Sequence, residues 1–174
     1  METILVVDDD PGMVRSVKEL LDSYGYDCLT ATGGAETIEI LAKQPVDLLL
    51  LDLNMPGVNG YQVLKEIEKR YRSTDVIIVS GETSFDSATQ LLRYGAQDFL
   101  RKPYVPDELI RSIENTANKR RMERKIQRMH QQLANSEQQH RFFVNNSPDI
   151  VYMLDEQGAF SFINERIESL LGYG

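Results

Sequence analysis

The chain has 174 residues, 41% hydrophobic and 26% charged, with 19 basic against 27 acidic groups and a net charge of −8. That balance excludes wholesale disorder, and the length suits one domain with an appendage. The longest uncharged apolar runs (4–7 and 48–51) fall far short of the ~20 residues that span a bilayer, Met1-Glu2-Thr3 opens no secretory signal, and the single Cys28 cannot form an internal disulfide, so a cytoplasmic protein with no membrane partner is expected.

Residues 4–7, Ile-Leu-Val-Val, form a short apolar run of the kind buried on both faces of a sheet. Asp10-Pro11 then supplies an N-cap carboxylate and a proline at the first helical position, and Val14, Val17, Leu20 and Leu21 recur at helical spacing until Tyr24-Gly25 stops the helix. The cycle repeats. Strand 26–31 precedes helix 35–43, and strand 46–51 precedes helix 60–71, with Val63, Leu64 and Ile67 inward. Strand 76–79 precedes helix 84–93, closed by Gly95, and strand 98–100 precedes a long helix opened by Asp107. Five βα units within residues 1–110 predict an α/β domain whose parallel sheet is covered by helices on both faces. Function in such sheets sits at the carboxyl ends of the strands.

Those ends carry chemistry. Strand 1 runs into Asp8-Asp9-Asp10 and strand 3 into Asp52, while strand 4 ends in Ser80-Gly81-Glu82 and strand 5 is followed by Lys102-Pro103. Carboxylates converging on one edge repel unless a cation neutralises them, and an all-oxygen set points to a hard ion such as Mg²⁺. A lysine and a hydroxyl beside them suit a phosphoryl group. His130 and His140 lie far from this edge, so no Ser-His-Asp or Cys-His set is available, and no glycine-rich phosphate loop follows strand 1. The remaining nucleophile is a carboxylate.

The stretch 4–11 (ILVVDDDP), with 51–57 (LDLNMPG), Val79-Ser80-Gly81-Glu82 and Lys102-Pro103, resembles the receiver domain of two-component response regulators over residues 1 to about 120. The resemblance implies a doubly wound, flavodoxin-like five-stranded parallel sheet in the order 2-1-3-4-5. It implies that Asp52 accepts a phosphoryl group from a phosphohistidine on a sensor histidine kinase or phosphotransfer protein. It further implies Mg²⁺ held by Asp9, Asp52 and the Asn54 carbonyl, with Asp8 acting mainly through bound water. Lys102 would pair with Asp52 and then with a phosphoryl oxygen, and Ser80 would bond another and draw in the ring of Phe99. Asn54 and Glu82 would tune dephosphorylation. On this reading the chain is a self-catalysing phosphoryl acceptor rather than an enzyme acting on other molecules.

Residues 111–141 hold 8 basic and 3 acidic groups, whereas residues 1–110 hold 10 and 19. No proline or glycine interrupts 107–143, which predicts one long C-terminal helix. Met122, Ile126, Met129, Leu133, Ser136, His140 and Phe143 alternate by four and three residues, a coiled-coil seam suited to a parallel homodimer. The run 118–125 (NKRRMERK) is similar to a basic-zipper contact region, but it reads more simply as a solvated face, so nucleic acid is not an expected partner.

Residues 142–174 resemble the opening of a PAS sensor domain, with strands at 149–154 and 159–163 turned by Glu156-Gln157-Gly158 and a helix from Glu165. The expected organisation is a receiver at 1–110, a helical linker at 107–143 and the truncated start of a PAS domain at 144–174, with the output beyond. Two other readings compete. One is a Mg²⁺-dependent phosphatase with Asp52 as nucleophile, although that class wants an aspartate where Asn54 stands. The other is a dimerising or DNA-binding scaffold with a vestigial pocket.

Overall fold

A computed structural model of the chain describes residues 2–71, 73–81 and 94–172. The expected helix 84–93 lies outside the described residues, as does Glu82. The chain divides into a first unit, Met1–Lys119, and a second, Arg120–Gly174.

In the first unit the strands are β1 (Thr3–Val7), β2 (Asp27–Ala31), β3 (Leu48–Leu51), β4 (Asp75–Ser80) and β5 (Asp98–Arg101). They form one parallel sheet, as the strand–helix alternation predicted, in the order β2-β1-β3-β4-β5 that the resemblance implied. The helices α1 (Pro11–Ser23), α2 (Gly34–Lys43) and α3 (Gly60–Arg70) follow the first three strands, and α4 (Pro106–Asn145) follows the last.

Strand alternation builds two cores from the same strands. Leu5, Val7, Leu49, Leu51, Val76 and Ile78 meet Leu41 of α2 and Val63, Leu64 and Ile67 of α3 on one face. Ile4, Val6, Leu48, Leu50, Ile77 and Val79 meet Val17 and Leu21 of α1 and Leu109, Ile110 and Ile113 of α4 on the other. Cys28 belongs to the second core, where burial pushes its thiol up to about 11 and keeps it a neutral packing group.

Local signals explain the boundaries. Asp10 caps α1, its Oδ1 accepting from the Gly12 and Met13 amides at 2.8 and 3.4 Å, with Pro11 at the first helical position. Asn59 and Gln62 form a reciprocal capping box at the start of α3. The third strand begins at Leu48 rather than 46, because the Val46 carbonyl accepts from Thr74 Oγ1 at 2.8 Å instead of joining the ladder. The long helix starts one residue before Asp107, at Pro106, a residue suited to an initial helical position, and runs to Asn145.

In the second unit, β6 (Tyr152–Leu154) and β7 (Phe160–Ile163) form an antiparallel hairpin, followed by α5 (Arg166–Leu171). The turn falls where Glu156-Gln157-Gly158 predicted it. Gly158 has φ +82°, and Asp155 Oδ1 accepts from the Gln157 and Ala159 amides. Along the seam, Met122, Ile126, Met129, Leu133, His140 and Phe143 are exposed in the single chain.

Candidate functional site

Parallel register carries β1, β3, β4 and the residue after β5 to one edge. The amide of Asp8 donates to the Ala31 carbonyl, and that of Asp52 to the Val7 carbonyl at 2.9 Å, so both aspartates leave the sheet as its last paired residues. Both side chains are buried, while Asp9 is exposed. One carboxylate oxygen from each of Asp8, Asp9 and Asp52 lies within 4.8 Å of the others.

Lys102 reaches this cluster from the turn after β5, where its amide donates to the Ser80 carbonyl at 3.0 Å and its bond to Pro103 is cis. Its ammonium lies 2.5 Å from Asp8 Oδ2 and 3.1 Å from Asp52 Oδ2. The family resemblance implied a pairing of Lys102 with Asp52 and a role for Asp8 through water. Here Lys102 bridges both, and Asp8 makes the shorter contact. Burial disfavours the ammonium, but the hydrogen bonds it donates to Asp8 and Asp52 and their negative charges outweigh it and hold Lys102 above the ordinary lysine value.

One ammonium does not neutralise three carboxylates. At ~5 Å and an effective dielectric of ~20, each pair of like charges costs about 3 kcal/mol. The uncompensated charge is that of a divalent cation, and the donors are all oxygen, so the residues fit Mg²⁺.

Ser80 ends β4, fully buried, and its Oγ has no hydrogen-bond partner among the described residues. An orphaned hydroxyl costs ~1–3 kcal/mol, and this one stands on the edge where a phosphoryl oxygen could use it. Phe99, opposite Ile78 in the ladder, is half-buried against the core on the α2–α3 face. Asn54 is exposed, and its amide donates to Asp52 Oδ1 at 3.3 Å. Met55 is buried and Gly57 has φ +74°, so the Met55-Pro56-Gly57 run shapes this loop.

Two contributors were not singled out from the sequence. A Cβ at Gly60 would lie 2.3 Å from the Asp52 carbonyl oxygen and 2.7 Å from Leu53 Cα, so only glycine lets α3 start against the strand end that holds Asp52. Its sole local signal was its place after Asn59 at the helix start. Tyr104, two residues beyond Lys102, shares with Asp8 the lining of a small void and donates from Oη to Met13 Sδ at 3.7 Å. Burial raises its phenol above the usual value, with Lys102 pulling the other way.

Residues 4–114 match the response regulator receiver domain, and the chain belongs to that family. It is 37% identical over 111 residues to the DNA-binding transcriptional regulator NtrC of Escherichia coli K12, a match covering 64% of this chain and 24% of that protein. It is 33% identical over 115 residues to the response regulator SaeR of Staphylococcus aureus USA300, covering 66% and 50%. A solved response regulator receiver domain protein (CheY-like) from Methanospirillum hungatei JF-1 superposes with a TM-score of 0.68 at 27% identity, over 71% of this chain and 98% of that one. The chain thus spans between 24% and 50% of the length of these curated relatives. Residues 4–114 are therefore the receiver domain of a two-component response regulator. Among the described residues no helix is long and apolar enough to cross a membrane.

Proposed function

We propose that the chain is a phosphorylation switch in which Asp52 accepts a phosphoryl group from a phosphohistidine. The observation that carries this is the cluster itself: Asp8, Asp9 and Asp52 within 4.8 Å, two of them bridged by Lys102. An Asp52 carboxylate oxygen forms the new P–O bond as the P–N bond to the donor imidazole breaks and the electron pair stays on that nitrogen. Asp9, Asp52 and the Asn54 carbonyl would hold Mg²⁺, with Asp8 beside them. When bound, the ion supplies charge neutralisation for the transferring group.

The chain's own residues do the rest. Lys102 follows the negative charge from the carboxylate to a phosphoryl oxygen. The Ser80 hydroxyl donates to another, which satisfies its orphaned Oγ, and Phe99 responds from the neighbouring strand. Asn54 and Glu82 orient the water that removes the phosphoryl group, so both uptake and loss are catalysed by the chain on itself, in the cytoplasm.

The exposed apolar seam from Met122 to Phe143 supports a parallel dimer through α4. The β6–β7 hairpin at the predicted place supports a PAS-type region that receives the signal.

Incubation with a small-molecule phosphodonor and Mg²⁺ tests the reading. Wild type should gain one acid-stable, base-labile phosphoryl group, and Asp52→Asn should gain none. Multiple turnover of external phosphoesters would instead indicate a phosphatase, and an absence of uptake would indicate a vestigial pocket.

A further inference from the structure

From Arg120 onward the described residues are exposed or half-exposed with one exception. Among the residues whose burial is described there, Asn164 alone is buried, at 1% exposure. A lone buried residue would ordinarily be apolar; this one is an amide with its hydrogen-bonding capacity in use. Its Oδ1 accepts from the Val151 amide at 3.0 Å. Its Nδ2 donates to the Val144 carbonyl at 2.8 Å and to the Asp149 carbonyl at 3.1 Å. Its backbone N–H donates to the Val151 carbonyl at 2.9 Å.

These partners lie in three places. Val144 is in the last turn of α4, where carbonyls lack intrahelical donors. Asp149 is in the connection, and Val151 leads into β6. The two following residues reach back the same way: Asn145 Nδ2 donates to Glu165 Oε1 at 3.4 Å, and Arg166 Nε to the Pro148 carbonyl at 3.1 Å. Three successive side chains thus tie the end of the hairpin to residues 144–151.

We infer that Asn164 is the positioning residue of a directional joint that makes the C-terminal end of α4 and the β6–β7 hairpin move as one body. Apolar packing is non-directional and lets surfaces slide. A buried amide bonded to three backbone segments does not, because any relative shift breaks a hydrogen bond out of contact with water. The second unit has no apolar cluster among its described residues to hold these parts together instead. A rotation or shift of the helix end is therefore delivered to the hairpin without loss. The joint stands whether or not Asp52 is a phosphoacceptor.

Amide hydrogen exchange on the full chain, followed against denaturant, tests it. In wild type the Asn146, Val151, Asp155 and Asn164 amides should share one opening reaction. Asn164→Ala should speed exchange at Val151 about tenfold or more. Asn164→Asp keeps an acceptor for the Val151 amide but, when ionised, has no donor for Val144 or Asp149. It should leave Val151 and Asp155 protected together while Asn146 separates from them and exchanges about tenfold faster. A merely structural residue would lower all four together in both variants, and that result would overturn the joint. So would unequal opening in wild type, an Asn164→Asp chain with coupling intact, or loss of protection in β1–β5, which the joint does not touch.

Discussion

Lys102 bridges two aspartates from different strands, and the raised ammonium shows which effect wins there. Burial alone would push the lysine toward neutrality, but two carboxylates within hydrogen-bonding distance more than offset it. The ion-paired lysine contributes stability that is complete below the unfolded lysine value and is lost only as pH rises through the higher folded one. Around neutral pH the pocket therefore keeps its internal cation. Gly60 is the backbone counterpart. Gly60→Ala should lower stability by about 2 kcal/mol or more in denaturant unfolding, because the obstructing atoms are the backbone of Asp52 and Leu53, not a flexible side chain. Asn54, exposed beside Asp52, tests the proposed chemistry of phosphoryl loss. Asn54→Ala should lengthen the lifetime of the phosphorylated state several-fold in a decay time course, and unchanged or faster decay would count against that role. Asp8, Asp9, Asp52, Ser80 and Lys102 were legible in the sequence because each follows or ends an apolar strand. Gly60 was not, because its constraint is a through-space approach of a helix to a strand end.

α4 is one helix with two environments. From Leu109 to Ala117 it buries an apolar face, and Ser112 Oγ bonds Asp98 Oδ2 at 2.5 Å, pinning the helix to the start of β5. Lys119 Nζ bonds Gln97 Oε1 at 2.8 Å one turn before the seam begins. Beyond it, Met122, Ile126, Met129 and Leu133 are each at least half exposed. Leu133→Glu would place like charges face to face in the proposed dimer. It should weaken self-association by about tenfold or more in sedimentation, with the receiver fold unchanged. The helix itself was legible from its unbroken run without proline or glycine. Its start was shifted because Pro106 is compatible with a first turn.

At the scale of the whole molecule, both hydrophobic cores lie within residues 4–113. The second unit holds a two-stranded hairpin, a form that is marginal in water on its own. Removing residues 120–174 should therefore shift the thermal midpoint of the receiver by no more than about 3 °C, measured by circular dichroism at low protein concentration. A larger drop would mean that the second unit stabilises the first.

The sequence by itself determined the strand–helix alternation, the parallel sheet and the residues at its carboxyl edge. Each of these follows from periodicity and from short-range capping and turn chemistry. Tertiary structure alone decided that Lys102 sits between Asp8 and Asp52, that Gly60 cannot carry a side chain, and that Asn164 is buried. Those depend on distances between segments far apart in the chain, which no local pattern encodes.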